Sequence, residues 1–251
     1  MIDATERFSD RVENYIRYRP GYPSELFEFL RNEIGLRRDW TVADIGSGTG
    51  ISASYFTENG NRVYGVEPNL AMREASIAFL EKFNKFIAVD GKADATSLPD
   101  KSVDLIFCAQ AFHWFCSAET VKEFRRILKP GGFIVLAWNE RLLGANRFHR
   151  EFETFLVGYA SDYEEVRHDK LTQKSLEKTF RTDFETVRFE NHQVCDFAGL
   201  KGRTISSSYM PGEDSPKFGE MIENLECLFA EHEENGRITI LYKTIVYFCK
   251  F

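Results

Sequence analysis

Three glycines at alternate positions follow a short apolar stretch and a carboxylate. Residues 44–50 read Asp-Ile-Gly-Ser-Gly-Thr-Gly, directly after Val42-Ala43. Glycine lets the backbone turn tightly and lets a ligand lie against main chain that carries no side chain. Asp44 at the head of the loop offers an acceptor to a cationic or amine-bearing ligand. The pattern predicts a ligand-binding loop at the end of a strand.

The spacing of these glycines bears on the class of ligand. A dinucleotide-binding loop has the pattern G-x-G-x-x-G and places a pyrophosphate on the N-terminus of the next helix. Here Gly46, Gly48 and Gly50 give G-x-G-x-G, and Ile51 stands where the third glycine of that pattern would be. A carboxylate at the head of the loop also suits a diphosphate poorly. Taken alone, the segment leaves an ordinary glycine-rich turn open as the alternative interpretation.

Further polar and aromatic residues follow the later predicted strands. Glu67 comes about 20 residues after the loop, where a carboxylate can accept from both hydroxyls of a ribose. The alternative interpretation is that Glu67 is a carboxylate that stabilises the N-terminus of a helix. Asp94 can accept from the exocyclic amine of a base, or it belongs to a polar surface loop. Residues 110–115 form an aromatic wall, in which His113 is a candidate base, although a lone histidine is more often structural.

An alternation of strands and helices must position these residues. Because buried parallel strands are apolar, the short apolar runs predict strands, and the segments between them have helical spacing. This alternation predicts a parallel sheet with helices on both faces and ligands at the carboxyl ends of the strands. The predicted strands are 42–46, 62–66, 86–89, 103–108 and 133–138, and the predicted helices are 49–59, 69–83 and 117–128.

The flanking segments have a different pattern. Two helices are predicted before residue 38, the first over 5–19 and the second capped by Ser24. After residue 145 we expect helical segments over 145–182 and 197–234, the second with a break at Met210-Pro211-Gly212. A strand is expected over 184–189 and a last strand over 237–249. We therefore predict one domain over 1–251, with an N-terminal helical lid (1–38), a cofactor-binding core (39–144), cap helices with strand six (145–235) and the last strand (236–251).

Composition excludes several functions. The net charge is −7 without a basic run, which disfavours nucleic acid as a partner. No apolar stretch approaches the roughly 18 residues of a membrane span, and the polar N-terminus is unlike a signal peptide, so the cytoplasm is the expected location. The five cysteines form no C-x-x-C pair and the histidines no H-x-x-x-H pair, which predicts reduced thiols and no metal site. The expected partner is a small molecule, and the oligomeric state is left open.

The motifs together resemble class I S-adenosylmethionine-dependent methyltransferases. The small-molecule branch that includes trans-aconitate methyltransferase-like (methyltransferase type 11) proteins is similar, since it also has a Tyr-Arg-Pro segment and His-Trp-Phe. The resemblance covers residues 5–138, is weak over 145–235 and returns at the last strand. It implies a Rossmann-like three-layer αβα fold with a seven-stranded, mostly parallel sheet, an antiparallel last strand and helical cap insertions. The motifs that carry it are Asp-Ile-Gly-Ser-Gly-Thr-Gly, Gly-Val-Glu-Pro-Asn, Ala-Asp-Ala-Thr-Ser-Leu-Pro, Ser-Val-Asp-Leu-Ile and Leu-Lys-Pro-Gly-Gly.

The resemblance also implies a cofactor, S-adenosylmethionine, with S-adenosylhomocysteine as its product. This cofactor has a ribose, an adenine, a zwitterionic amino acid and a sulfonium but no phosphate, which agrees with the carboxylate at the head of the loop. His113 is the candidate catalytic residue, as a base or a substrate contact. The implied cofactor-binding residues are Tyr18, Arg19, Asp44, Gly46, Ser47, Gly48, Glu67, Pro68, Asp94, Ala95 and Gln110.

The methyl acceptor is left open by the sequence. Methyl transfer from a sulfonium needs alignment and exclusion of water. A carboxylate acceptor is already a nucleophile and would need fixed cations, for which Arg141, Arg147 and Arg150 are candidates unless they are solvated helix charges. A phenol, alcohol or carbon acid would need a base, with His113 the first candidate. A non-catalytic cofactor-binding module and a nucleotide-dependent oxidoreductase are the alternative functions.

Overall fold

A seven-stranded sheet forms the centre of the computed structural model, which describes residues 12–161, 163 and 171–251. The strand order is β3-β2-β1-β4-β5-β7-β6. Strands β1 to β5 pair in parallel, whereas β7 is antiparallel to both β5 and β6. The predicted mostly parallel sheet is therefore confirmed. The strands are β1 Thr41–Ile45, β2 Arg62–Val66, β3 Phe86–Val89, β4 Val103–Ala109, β5 Leu128–Arg141, β6 Glu185–Cys195 and β7 Ile238–Lys250.

Helices cover both faces of the sheet and one end of it. Within the described ranges, none of them is long and apolar enough to cross a membrane. A short 3₁₀ turn, Phe112–Trp114, follows β4. The helices are α1 Val12–Tyr18, α2 Ser24–Asn32, α3 Ile51–Asn59, α4 Leu70–Phe79, α5 Ala118–Ile127, α6 Arg147–Tyr159, α7 Gln173–Phe180, α8 Phe197–Ile205 and α9 Phe218–His232.

The predicted elements are present, but several of their ends differ. Ser24 is the first residue of α2 and does not cap it, because its hydroxyl donates to Glu25 instead. Strand β5 is longer than predicted because pairing with β7 continues as far as Arg141. Asn69 lies outside α4 as its cap and accepts from the Met72 amide at 2.9 Å. Positions 5–11 of the first predicted helix lie outside the described residues.

The core divides into two layers because neighbouring side chains of a strand point to opposite faces. Ile106 of β4 packs on the face covered by α5 and α7, together with Phe124 and Phe180. Its neighbour Phe107 packs on the other face, with Phe56 of α3. All of these side chains are fully buried. This two-sided burial fixes the register of the strands and hence the positions of their ends.

The C-terminal half holds the N-terminal segment in place. Gln193 of β6 donates to the Tyr18 carbonyl at 2.8 Å, and Asn191 donates to the Gly21 carbonyl at 3.0 Å. Helix α1 also packs directly on α8, where the Tyr18 ring lies against the backbone at Gly202. A Cβ atom added at Gly202 would lie 2.0 Å from that ring.

We expect the same substitution to have opposite effects in α8 and α9. Alanine in place of a helical glycine stabilises a helix by up to about 1 kcal/mol when space is available. Space is available at Gly219, where an added Cβ meets nothing within 4 Å. G219A should therefore raise the free energy of unfolding in urea, whereas G202A should lower it by about 1–3 kcal/mol through overpacking against Tyr18. Equal stability of the two variants would contradict the close packing of α1 on α8.

Candidate functional site

The carboxyl ends of the parallel strands meet beside a cavity of about 400 Å³. The order of the strands reverses between β1 and β4, which is where open α/β sheets bind ligands. One wall comes from the loop after β1 and another from the aromatic turn after β4. The polar and aromatic side chains that line the cavity include Tyr15, Glu67, Asn69, Lys92, Asp94, Gln110, Trp114, Phe115, Ser117 and Thr120.

A smaller cavity of about 50 Å³ lies on the other side of the glycine loop. Gly46, Gly48 and Gln110 line both cavities. The walls of the smaller one also include two arginines from distant parts of the chain, Arg19 and Arg203. The two cavities therefore form neighbouring parts of one site around the loop.

Glycine is required in the loop by both conformation and space. Gly46, Gly48 and Gly50 have φ angles of 70°, 53° and 85°, in the left-handed region that other residues rarely adopt. A Cβ added at Gly46 would lie 2.7 Å from the Cβ of Ala111. The loop can therefore pass close under the turn after β4 and leave its main chain facing the cavities.

Glu67 joins the loop after β1 to the end of β2. Its two carboxylate oxygens accept from the amides of Gly48 and Asn69, each at 2.9 Å. Burial raises the pKa of Glu67, and these two bonds oppose the shift. A carboxylate has about four acceptor positions, so Glu67 keeps capacity for hydroxyl groups of a ligand in the larger cavity.

Asp44 is a fully buried carboxylate with one oxygen in use. Its Oδ2 accepts from the Ser52 hydroxyl at 2.7 Å, whereas Oδ1 has no hydrogen-bond partner among the described residues. Burial raises the pKa of Asp44 to about 7, and the bond from Ser52 opposes the shift. A cationic group placed beside Oδ1 would favour the ionised form.

Three further buried polar atoms without a partner in the described part of the chain are Arg19 Nε, Ser47 Oγ and Thr49 Oγ1. All three residues line the smaller cavity. Buried polar atoms are nearly always hydrogen-bonded, so a cluster of unpartnered ones indicates a ligand position. Donors from Arg19, Ser47 and Thr49 suit a carboxylate, and Asp44 suits an ammonium group. Together they fit a zwitterionic amino acid.

Most residues predicted for cofactor binding come together here. Gly46, Gly48, Glu67, Pro68, Asp94 and Gln110 line the larger cavity, and Arg19 and Ser47 line the smaller one. Tyr18, Asp44, Ala95 and His113 line neither cavity. The binding roles of all the predicted site residues stay predictions. His113 accepts a hydrogen bond at Nδ1 from the indole of Trp138, at 3.3 Å.

Sequence reasoning missed several contributors to the site, among them Thr49, Tyr15 and Arg203. Tyr15 lines both cavities, although its spacing in the sequence indicates only the apolar face of a helix. Arg203 comes from α8, in the region where no motif was recognisable. No local signal distinguishes Arg203, because only the packing of α8 against α1 brings it to the loop. Two of the three cations considered for an acceptor are engaged elsewhere: Arg141 pairs with Glu153 at 2.6 Å, and Arg147 forms ion pairs on the surface.

One group of possible metal ligands lies away from these cavities. Glu151, Glu231 and His232 approach one another between α6 and α9. Arg147 forms ion pairs with both glutamates, and the His232 ring contacts Glu151 at 2.6 Å. Arg147 therefore offsets part of the negative charge of this group.

Comparison with known proteins finds similarity over the part of the chain that contains the glycine loop. Residues 43–136 match a family described as a methyltransferase domain. An uncharacterized methyltransferase of Schizosaccharomyces pombe is 35% identical over 145 residues, which cover 56% of this chain and 55% of the relative. A malonyl-[acyl-carrier protein] O-methyltransferase of Marinomonas is 28% identical over 138 residues, covering 53% and 50%. The matched part of the chain spans about half the length of these relatives.

Solved structures share the fold along most of the chain. A protein assigned as a type II methyltransferase from Anaeromyxobacter dehalogenans superposes with a TM-score of 0.67 and 20% identity, covering 93% of this chain and 98% of that one. A phosphoethanolamine N-methyltransferase from Haemonchus contortus, solved with S-adenosylhomocysteine, has a TM-score of 0.57 and 12% identity, covering 99% and 58%. The fold is that of the class I methyltransferases. Residues 43–136 of this chain are therefore similar to a methyltransferase domain.

The buried Asp44 predicts a specific dependence of stability on pH. Because the folded state holds this proton more tightly than the unfolded state, stability falls as the pH rises from about 4 to about 7. Relative to D44N, the ligand-free wild type should lose at most about 4 kcal/mol over this range. Urea titrations at several pH values measure the difference.

A matched control for this experiment is D39N. Asp39 is an exposed carboxylate that pairs with Arg37 on the surface. Its removal should leave the pH dependence of the wild type unchanged. A D44N profile parallel to that of the wild type would show that Asp44 titrates near its ordinary value.

Proposed function

We propose that this protein transfers a methyl group from S-adenosylmethionine to a small-molecule acceptor. The observation that carries the proposal is the cluster of unpartnered buried atoms around the glycine loop, Asp44 Oδ1 and Arg19 Nε among them. Their donor and acceptor types complement the amino-acid part of this cofactor. Glu67 lies next to them and offers acceptors for its ribose. The matched methyltransferase domain supports the same conclusion.

Each part of the cofactor has proposed partners in the chain. The Glu67 carboxylate would accept from the ribose hydroxyls, and Asp94 would face the adenine. Asp44 would hold the ammonium group, while Arg19, Ser47 and Thr49 would donate to the carboxylate. When bound, the cofactor supplies a methyl group already activated on a sulfonium. The aromatic rings of Tyr15, Trp114 and Phe115 would shield the site from water, which favours an in-line displacement.

We propose that the acceptor reacts through an ionised group, with a carboxylate as the main candidate. The indole of Trp138 donates to Nδ1 of His113, and this bond would compete with proton uptake at the same atom. An acceptor that needs no base avoids this competition. A carboxylate acceptor also agrees with the resemblance to the trans-aconitate methyltransferase-like branch. His113 is retained as a possible substrate contact, or as the base for a neutral acceptor.

The proposed place of action is the cytoplasm. All five cysteines are free thiols, and three of them, Cys108, Cys195 and Cys249, are buried. Burial raises the pKa of each of these three thiols and thereby keeps them protonated. A reducing compartment suits this state of the cysteines.

Calorimetry with S-adenosylhomocysteine tests the cofactor assignment. We expect micromolar affinity for the wild type and at least a tenfold loss in E67A, since a hydrogen bond to a charged group contributes about 1.5–3 kcal/mol. E74A removes an exposed carboxylate from α4 and should bind like the wild type. An absence of both heat and thermal shift in the wild type would refute the cofactor assignment, and tight binding of NADH instead would favour an oxidoreductase.

Turnover separates an enzyme from a non-catalytic binding module. Wild-type protein with methyl-labelled cofactor should transfer label to at least one compound of a panel of carboxylic acids, alcohols, phenols and amines. The label should not be transferred by E67A at the same cofactor concentration. Cofactor binding without transfer to any compound of the panel would count in favour of the non-catalytic module.

A further inference from the structure

Two guanidinium groups meet at one wall of the smaller cavity. Arg19 Nη2 donates to the carbonyl of Ser206 at 2.9 Å, and Arg203 Nη1 donates to the hydroxyl of Ser207 at 2.9 Å. Ser206 and Ser207 directly follow α8, so both arginines are held at the same helix end. Arg203 thus belongs to the wall of the cofactor loop despite its distance in sequence.

The positive charge of Arg203 is not matched by any carboxylate among the described residues. Its side chain is buried, with 8% of the residue exposed, and its hydrogen bonds go to the neutral hydroxyls of Ser207 and Tyr242. No described carboxylate forms an ion pair with Arg203 or with Arg19. A guanidinium does not release its proton in proteins, and a buried charge without a counter-ion is costly. The carbonyl end of α8 offsets only about half a charge.

Neighbouring groups respond to this positive region. Burial raises the pKa of Tyr209, whereas the guanidiniums of Arg141, Arg203 and Arg19 and a hydrogen bond with Ser207 lower it, and the net effect is a lowered pKa. Burial, together with the charge of Arg203, also lowers the pKa of Arg19. A site at which cations repel one another and stabilise a phenolate would also stabilise a bound anion.

The cofactor cannot supply enough negative charge for both arginines. Its amino acid brings one carboxylate and one ammonium, and its sulfonium adds a positive charge. The ammonium suits Asp44, and the carboxylate suits Arg19 with the unpartnered hydroxyls of Ser47 and Thr49. Arg203 is left without an anion after this assignment. Arg203 lines the smaller cavity together with Gln110, which follows β4, and Asn139, which lies in β5. The carboxyl ends of these two strands are expected to face the acceptor.

We propose that Arg203 binds a negatively charged group of the methyl acceptor, so that the acceptor is a small molecule carrying a carboxylate or another oxyanion. This inference rests on the proposed function and names its substrate class. Tyr242 and Ser207 orient the guanidinium through their hydroxyls. Arg203 is therefore a specificity-determining residue, separate from the cofactor contacts of Arg19.

The test measures anion binding to the protein saturated with S-adenosylhomocysteine. Acetate, succinate, tricarballylate and inorganic phosphate are titrated at constant ionic strength, with thermal unfolding as the readout. Succinamide serves as a neutral analogue of succinate. At least one anion should raise the melting temperature of the wild type in a saturable way, while succinamide has no effect. Comparison of the carboxylates with phosphate shows whether the site prefers a carboxylate or another oxyanion.

Variants locate the effect at Arg203. R203Q should weaken anion binding at least tenfold while its affinity for S-adenosylhomocysteine stays within threefold of the wild type. R203K keeps the charge but loses the planar fork, so an intermediate loss is expected. K201Q removes one charge from the same helix and should behave like the wild type. Calorimetry with S-adenosylhomocysteine also reports folding of each variant, and R203K decides the case if R203Q does not fold.

Three results would overturn the inference. The first is a wild-type complex that no anion stabilises, and the second is an R203Q complex with wild-type anion affinity. The third is an equal loss of anion and S-adenosylhomocysteine affinity in R203Q, which would assign Arg203 to the cofactor subsite. Failure of the wild type to bind S-adenosylhomocysteine at all would instead refute the proposed function, so the two failures are distinguishable.

Discussion

The close approach of Gly46 to Ala111 is the contact on which the site depends. Strands β1 and β4 are neighbours, and their carboxyl ends can share a ligand only if the loop after β1 passes under the turn after β4. A single Cβ at Gly46 would prevent this approach. The left-handed backbone of the loop then exposes main chain to both cavities, and Glu67 fixes it from the side by accepting from the Gly48 amide. The glycine loop, the neighbouring positions of β1 and β4, and the Glu67 carboxylate therefore define the shape of the site together.

Charge burial is the second constraint on the site. Asp44 and Arg203 are buried, and neither has a charged partner of opposite sign among the described residues. Such groups lower the stability of the ligand-free protein and in return provide binding groups that water does not screen. A site that holds a zwitterion and a sulfonium requires charges of both signs at short range. The unpaired charges of Asp44 and Arg203 therefore lower the stability of the ligand-free protein and favour the binding of a charged ligand.

The C-terminal half contributes to the site from outside residues 43–136, the range that matches a methyltransferase domain. Strands β6 and β7 extend the sheet and carry Asn191 and Gln193, whose amides hold the main chain at Gly21 and Tyr18. Helix α8 packs on α1 and carries Arg203 to the loop. The match to a methyltransferase domain covers residues 43–136, which contain the glycine loop, whereas Arg203 lies outside that range.

The sequence by itself determined the alternating core, the glycine loop and the positions of Glu67 and Asp94. These follow from local rules: apolar strands must be buried, left-handed turns require glycine, and parallel strands place their carboxyl ends at one edge. Only the tertiary structure decided that Arg203 faces the loop, that Arg141 is neutralised by Glu153, and that His113 bonds to Trp138. Each of these depends on contacts between residues far apart in the chain, whose side-chain types carry no information about their partners. The extra length of β5 has the same origin, since pairing with β7 extends it.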